Sequence, residues 1–79
     1  MNPIEERLTK ILLDDFKIPR ESIGPDTTLA ELGFDSLFIT ELALVVDNEF
    51  GTTLEDGELT GTMTTVDAAE LLTGKGAAF

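Results

Sequence analysis

The chain has no cysteine, histidine, tryptophan or tyrosine, and only five of its 79 residues are lysine or arginine. Without cysteine no disulfide can form, and without cysteine or histidine no structural zinc or other metal site is expected. With no histidine, cysteine or tyrosine, nothing in the sequence is expected to activate a nucleophile, so we expect the chain not to be an enzyme. Sixteen acidic residues give a net charge of −11, which disfavours nucleic acid and favours basic partners.

Length and hydropathy predict one small domain spanning residues 1–79, which we treat as a monomer. A chain of this size buries only about 60% of its unfolded surface, which is too little for two cores. No apolar run approaches the ~20 residues that cross a bilayer. The first ten residues have neither the basic region nor the apolar segment of a signal peptide. We therefore expect a cytoplasmic protein that does not contact membranes.

A first helix is predicted from Asn2, its N-cap, to about Phe16, with Pro3 at its first position. Its apolar residues recur at helical spacing and form one buried stripe: Ile4, Leu8, Ile11, Leu12 and Phe16. A long loop follows over residues 17–35, because proline and glycine interrupt the pattern there. Four apolar residues are expected to pin this loop across the bundle: Ile18, Ile23, Leu29 and Leu32.

The second helix is the clearest element, beginning at Asp35 or Ser36 and ending near Phe50, with Gly51 as its C′ residue. One face carries a core stripe of Ile39, Leu42, Ala43, Val46 and Phe50. The opposite face carries Leu37, Thr40, Glu41, Leu44 and Asn48, and is predicted to meet solvent.

The region after Gly51 contains Gly57, Thr60 and Gly61, which predict at most one short helical turn around residues 56–59. A last helix is capped by Thr64-Thr65 and runs from Val66 to about Thr73. The apolar residues of this helix are Val66, Ala69 and Leu72, with Ala68 and Leu71 beside them. Residues 1–2 and 74–79 are expected to be frayed.

Ser36 stands at the start of the second helix, and a serine in that position most often serves as an N-cap. Its surroundings favour a further role. Gly33 frees the backbone before the turn, Asp35 places an acid at the positive end of the helix dipole, and Leu37 is an apolar residue on the solvent side. A phosphodiester on this hydroxyl would meet free backbone N–H groups. The residues around it lack the G-x-S-x-G arrangement of a catalytic serine.

At these residues the sequence resembles the acyl carrier proteins. The resemblance covers nearly the whole chain, in four motifs: Leu32-Gly33-Phe34-Asp35-Ser36-Leu37, Glu41-Leu42, Glu49-Phe50-Gly51 and Thr64-Thr65-Val66. It implies an all-α fold, a small four-helix bundle with a long loop between helices 1 and 2 and a short third helix. It also implies that Ser36 accepts 4′-phosphopantetheine from coenzyme A, through a separate magnesium-dependent phosphopantetheinyl transferase. The arm would supply the missing thiol and carry acyl groups as thioesters, so the chain would be a substrate and shuttle.

The resemblance also implies a docking face on the second helix. It comprises Asp35, Leu37, Glu41, Leu44 and Asp47, which would meet basic patches on the transferase, on a ketosynthase, on an acyltransferase or on other acyl-processing enzymes. Phe38 departs from the pattern of many fatty-acid carriers, which have an acid or a small polar residue there. Two interpretations remain open for it: a residue that extends the core, or an exposed aromatic anchor for cognate enzymes.

The Gly33-Phe34-Asp35-Ser36-Leu37 string is more similar to polyketide-type carriers, which favours polyketide over fatty acid biosynthesis. One alternative is an aminoacyl or peptidyl carrier with the same arm and an amino acid cargo. Another is an unmodified acidic helical adaptor in which Ser36 is only a cap. Calcium binding is disfavoured, because Asp47-Asn48-Glu49-Phe50-Gly51 does not supply the spaced ligands of an EF-hand loop.

Overall fold

The computed structural model describes residues 2–78; Met1 and Phe79, the outermost residues of the predicted frayed ends, lie outside the described residues. Three α-helices follow in chain order: α1 (Pro3–Asp14), α2 (Ser36–Phe50) and α3 (Thr65–Gly74). The first connection, residues 15–35, contains two short 3-10 turns, Arg20–Ser22 and Ala30–Leu32. The described residues form no β-strand, which confirms the all-α class. None of the helices in this part of the chain is long and apolar enough to span a membrane.

Helix α1 begins as predicted, because the Asn2 side chain accepts a hydrogen bond from the Glu5 N–H at 2.7 Å and Pro3 occupies the first position. It ends at Asp14, two residues before the predicted end at Phe16. Leu8, Ile11 and Leu12 of the predicted stripe are buried. The other two members, Ile4 and Phe16, pack against the core from its edge.

Helix α2 confirms the predicted bounds and faces. Gly51 ends it at a φ of 67°, a left-handed conformation that glycine adopts without a Cβ clash. Leu42, Val46 and Phe50 are buried in the core. The predicted solvent face is exposed along its whole length, at Leu37, Thr40, Glu41, Leu44 and Asn48.

The predicted short third helix is absent from the second connection, residues 51–64. The segment turns at residues 56–58, within the range where the residue pattern predicts at most one short helical turn, and again at 61–62. The described residues form three α-helices, and a four-helix bundle is not confirmed. Gly57 has a φ of 87°, which is incompatible with a right-handed helix. The Glu55 N–H donates to the Glu58 side chain at 2.7 Å, so a local bond takes up an amide near the turn.

Helix α3 starts one residue earlier than predicted, and three of its predicted apolar residues, Ala68, Ala69 and Leu72, are buried. Thr64 and Asp67 form a reciprocal capping box, with bonds of 3.1 Å in both directions. Val66, one of the apolar residues of the predicted helix, is 38% exposed, whereas Thr65 is buried. The buried stripe is Thr65, Ala68, Ala69 and Leu72, which follows i, i+3, i+4, i+7 from the true start of the helix.

The two connections are joined to each other by backbone contacts. Thr28 and Thr64 form an isolated antiparallel bridge. The Leu29 N–H donates to the Met63 carbonyl and the Ala30 N–H to the Gly61 carbonyl, both at 2.9 Å. A Cβ added to Gly61 would lie 3.3 Å from the Ala30 Cβ, so this close approach favours glycine. These contacts place the two connections side by side next to the start of α2.

The end of the chain contacts the rest of the fold at several points. The Ala78 N–H donates to the Phe50 carbonyl at 3.0 Å, and Ala77 packs against the core. The Lys75 ammonium pairs with the Glu58 carboxylate at 2.7 Å, which links the tail to the second connection. Fraying of residues 74–78 remains a prediction about motion.

Candidate functional site

The start of α2 leaves the Ser36 hydroxyl free. The N-cap is Asp35, whose carboxylate accepts a hydrogen bond from the Phe38 N–H at 3.0 Å. Ser36 is therefore the first residue of the helix and does not cap it. Its side chain is exposed and has no hydrogen-bond partner among residues 2–78, while its carbonyl accepts a bond from the Thr40 hydroxyl at 3.0 Å. The capping role, the commonest reason for a serine here, falls to its neighbour.

Two backbone N–H groups point out of the same helix end. Those of Ser36 and Leu37 have no acceptor within the described part of the chain, whereas those of Phe38 and Ile39 are bound by Asp35. Free N–H groups at a helix N-terminus, together with the helix dipole, favour a negatively charged group. The residues at this helix end therefore fit a phosphodiester attached to the Ser36 oxygen.

A groove adjoins Ser36 on the side of the second connection. We call it the Ser36 groove; it has a volume of about 530 Å³, and its walls come from the start of α2 and from residues 56–61. Ile39 and Leu59 give it apolar surface, and Thr40, Asp56 and Thr60 give it polar surface. Such a mixed lining suits a flexible chain with both amide and methylene groups.

An ion pair between Glu58 and Lys75 links the segment that forms one wall of this groove to the end of the chain. The hydrogen bond from Lys75 lowers the pKa of Glu58 below its ordinary value, and the bond from the Glu55 N–H acts in the same direction. The same pair raises the pKa of Lys75 above its ordinary value. Lys75 is the only lysine or arginine after residue 20, and the sequence interpretation assigned no role to it.

Three members of the predicted docking face form a continuous exposed stripe on α2. Leu37 is 65% exposed and Leu44 is 67% exposed, although both are large apolar residues. Glu41, also exposed, lies between them at the i+4 position from Leu37. The structure thus brings together two apolar side chains and one carboxylate close to the Ser36 end of the helix.

Asp47, also assigned to the docking face, turns toward its own chain. Its carboxylate accepts a hydrogen bond from the Thr52 hydroxyl at 2.7 Å and from the Leu54 N–H at 3.0 Å. It is half-buried and attaches the second connection to α2. No short-range motif indicates this role, because its partners lie beyond the end of the helix.

Phe38 lies at the surface rather than in the core. It is 46% exposed, and its ring meets the buried Phe34 ring edge-on, with centroids 6.0 Å apart. Phe34 in turn contacts Phe16, at 5.2 Å. The sequence interpretation assigned no such row of rings, since Phe16 and Phe34 come together only through the first connection.

The comparisons with known proteins agree with this geometry. Residues 6–72 match the family described as "Phosphopantetheine attachment site". The chain is 32% identical over 73 residues to the "Acyl carrier protein" of Nitratidesulfovibrio vulgaris strain DP4 and, to the same degree, to that of strain Miyazaki F; each alignment covers 91% of this chain and 96% of the relative. No solved structure matches the chain significantly. Members of this family are carriers rather than catalysts, and they bear a covalently attached 4′-phosphopantetheine; this chain belongs to the acyl carrier protein family.

Proposed function

We propose that Ser36 is the single phosphopantetheine attachment site and that the chain tethers acyl intermediates there for enzymes of polyketide or fatty acid biosynthesis. The observation that carries the proposal is the exposed, unbonded hydroxyl of Ser36 beside two free backbone N–H groups. The only other serine, Ser22, lies in a 3-10 turn, with no helix behind it to stabilise a phosphate. When attached, the arm supplies the thiol that the chain lacks.

The attachment step requires a base from another protein. The Ser36 oxygen bonds to the pantetheine-bearing phosphorus of coenzyme A, the bond from that phosphorus to 3′,5′-ADP breaks, and the hydroxyl proton passes to the base. The chain contains no histidine, and no hydrogen bond joins the Ser36 hydroxyl to a carboxylate among the described residues. A separate phosphopantetheinyl transferase therefore has to supply the base, and this chain contributes the exposed oxygen and the helix end.

The proposal is tested by the intact mass of the protein after incubation with coenzyme A, Mg²⁺ and a broad-specificity transferase. The expected result is a gain of one phosphopantetheinyl group in the unchanged chain, none in Ser36→Ala and an undiminished gain in the matched control Ser22→Ala. Because Asp35 is the cap, Ser36→Ala should retain the fold. An arm on the Ser36→Ala protein would refute the assignment, and an unchanged chain that gains none would favour the adaptor alternative.

We also place partner docking on the exposed stripe of α2, with Asp35 and Phe38 beside it. An acidic surface with two exposed leucines suits enzymes that present basic residues around an apolar pocket. Phosphopantetheinyl transferases, ketosynthases and acyltransferases are the expected partners. Asp47 remains a predicted member, although its carboxylate already serves Thr52 and Leu54.

The docking face is tested by comparing a charge reversal on α2 with a charge reversal on α3. Glu41→Lys should slow modification by the transferase, most strongly at low salt, because rim charges govern the rate of encounter. Glu70→Lys, which reverses an exposed acid on α3, changes the net charge equally and should have a smaller effect. Equal rates for the two variants would argue that only total charge matters.

Polyketide-type biosynthesis is the pathway that we favour, on the Gly33-Phe34-Asp35-Ser36-Leu37 string. The decisive measurement is the intact mass of the protein isolated from its producer with the thioester preserved. A polyketide intermediate is expected there. An aminoacyl group would instead establish the aminoacyl carrier alternative, and a simple fatty acyl series would assign the chain to fatty acid biosynthesis.

A further inference from the structure

A second groove lies on the other flank of α2. We call it the aromatic groove; it has a volume of about 240 Å³ and is lined by Asp15, Phe16, Ile18, Leu32, Gly33, Phe34, Phe38 and Glu41. Its three phenylalanine rings form a row from Phe16 through the buried Phe34 to the exposed Phe38. The groove therefore offers aromatic surface to solvent.

This groove is distinct from the Ser36 groove. Residues two apart on a helix lie about 200° apart around its axis, so Phe38 and Ser36 face different sides of α2. Of the residues that line the two grooves, only Phe34 belongs to both. The arm site and the aromatic groove are thus on opposite flanks of one helix.

The rim of the aromatic groove carries two carboxylates that are in no ion pair with the described residues. Asp15 and Glu41 are both exposed, and neither carboxylate has a hydrogen-bond or ion-pair partner within residues 2–78. No lysine or arginine is among the described residues that line the groove. Asp15 also borders a neighbouring pocket that is lined by Arg7 and Lys10. The aromatic groove itself combines aromatic rings with two carboxylates.

That combination selects between possible occupants. A purely apolar group, such as an acyl chain, would displace water from the two carboxylates without donating a hydrogen bond to them. A guanidinium group is planar, weakly hydrated and able to stack on aromatic rings while donating to carboxylates. A lysine ammonium is a more strongly hydrated point charge and makes poorer use of the rings. The volume suits one long side chain.

We infer that the aromatic groove receives an arginine side chain of a partner enzyme, which stacks on Phe38 and pairs with Asp15 or Glu41. The inference rests on the proposed carrier function, since that function supplies the partner enzymes. It extends docking beyond the leucine stripe to the flank formed by the first connection. It also gives Phe38 a specific role, as the ring on which a cation rests.

The test uses the unmodified full-length protein, labelled with nitrogen-15, and N-acetyl-arginine amide as the probe. Saturable shifts are expected at the amides of the residues that line the groove. N-acetyl-citrulline amide, which has the same shape without the charge, should produce much weaker shifts. Phe38→Leu keeps an apolar side chain but removes the ring, and should weaken arginine binding about two- to five-fold. Val66→Ala truncates an exposed apolar residue of α3 outside the groove, and should leave binding unchanged.

Several results would overturn the inference: equal shifts with citrulline, shifts that spread over the acidic surface without saturation, or arginine binding that is insensitive to Phe38→Leu. Displacement of the arginine probe by a butyryl or hexanoyl group loaded on the arm would also overturn it, because the cargo would then be the occupant. The intact-mass assay with coenzyme A and the transferase, applied to Phe38→Leu and to the wild type, separates this inference from the carrier function. A normal mass gain without arginine binding refutes this inference alone, whereas a wild-type chain that gains no mass refutes the carrier function.

Discussion

The first and second connections lie side by side next to the start of α2, but different forces attach them to the bundle. The first connection is held chiefly by burial: Leu29 and Phe34 belong to the core, and Ile18, Ile23 and Leu32 pack against it. The second connection contributes Leu59 to the core, with Leu54 and Met63 packed against it. Charged groups also link it to α2 and to the tail, through Asp47 and through the Glu58–Lys75 pair. Apolar burial involves no titrating group, whereas charged links weaken as pH changes their protonation and as salt screens them.

This difference has a functional side. The first connection forms one wall of the aromatic groove, and the second forms one wall of the Ser36 groove. We therefore expect the Ser36 groove to be the one whose shape depends on solution conditions. A wall held by hydrogen bonds can open locally at a lower free energy than one that is fixed by core side chains.

The largest effect is expected from Leu29→Ala, which empties a fully buried position in the first connection. Loss of a core leucine should lower the free energy of unfolding by about 2–5 kcal/mol. Urea denaturation measures the loss, and Val66→Ala, a truncation of an exposed apolar residue, should change stability by about 0.5 kcal/mol or less. A loss for Leu29→Ala no greater than that of the control would contradict attachment by burial.

A smaller and more local effect is expected from Asp47→Ala. The change leaves the buried Thr52 hydroxyl and the Leu54 N–H without their acceptor, which should cost about 1–3 kcal/mol. Amide exchange should accelerate at residues 52–54 while the first connection keeps its protection. Asp56→Ala removes an exposed acid from the same segment and serves as the control. Equal acceleration in both connections would show that they are not attached independently.

The smallest effect concerns pH and the Glu58–Lys75 pair. The pKa of Glu58 is lowered in the folded chain, so the unfolded chain takes up the proton first as pH falls. The contribution of the pair is therefore present above the ordinary glutamate pKa, about 4.3, and is lost as pH falls through the lower folded value. It is also lost at high pH, as Lys75 deprotonates through its raised pKa.

The melting temperature of Glu58→Gln should accordingly lie slightly below that of the wild type at neutral pH, and the gap should close in acid. Added salt should narrow it as well, because both groups are partly exposed. Glu70→Gln, on the surface of α3, provides the charge-matched control. A gap that persists unchanged below the folded pKa would show that the pair contributes packing rather than charge.

The parts of the fold that could be predicted are those with local signals. Asp35 and Gly51 mark the two ends of α2, and the apolar spacing between them assigns its core and solvent faces. Asn2 and Pro3 do the same for the start of α1. In each case the deciding contacts join residues within one or two helical turns, so the sequence displays them directly.

The predictions from the sequence differ from the structure where tertiary contacts, or the exact residue at which a helix begins, decide the outcome. Val66 is more apolar than Thr65, yet the capping box at Thr64 and Asp67 starts α3 so that Thr65 faces inward. The short third helix that the resemblance implies is replaced by turns, with Gly57 at a positive φ and Gly61 packed closely against Ala30. At the site, the free hydroxyl of Ser36 depends on which of two adjacent residues caps the helix, and both were compatible with the sequence.

The bridge between Thr28 and Thr64 has a consequence for the order in which the chain folds. The helices form from contacts between near neighbours, whereas this bridge closes a long loop that encloses all of α2. Closing a longer loop costs more entropy, and contacts of large sequence separation slow folding. The two groove walls should therefore be completed after the helices, and a refolding chain should display a formed α2 before it has a finished surface around Ser36. An enzyme that requires both walls would act only on fully folded carriers, so the late closure would serve as a check on the integrity of the substrate.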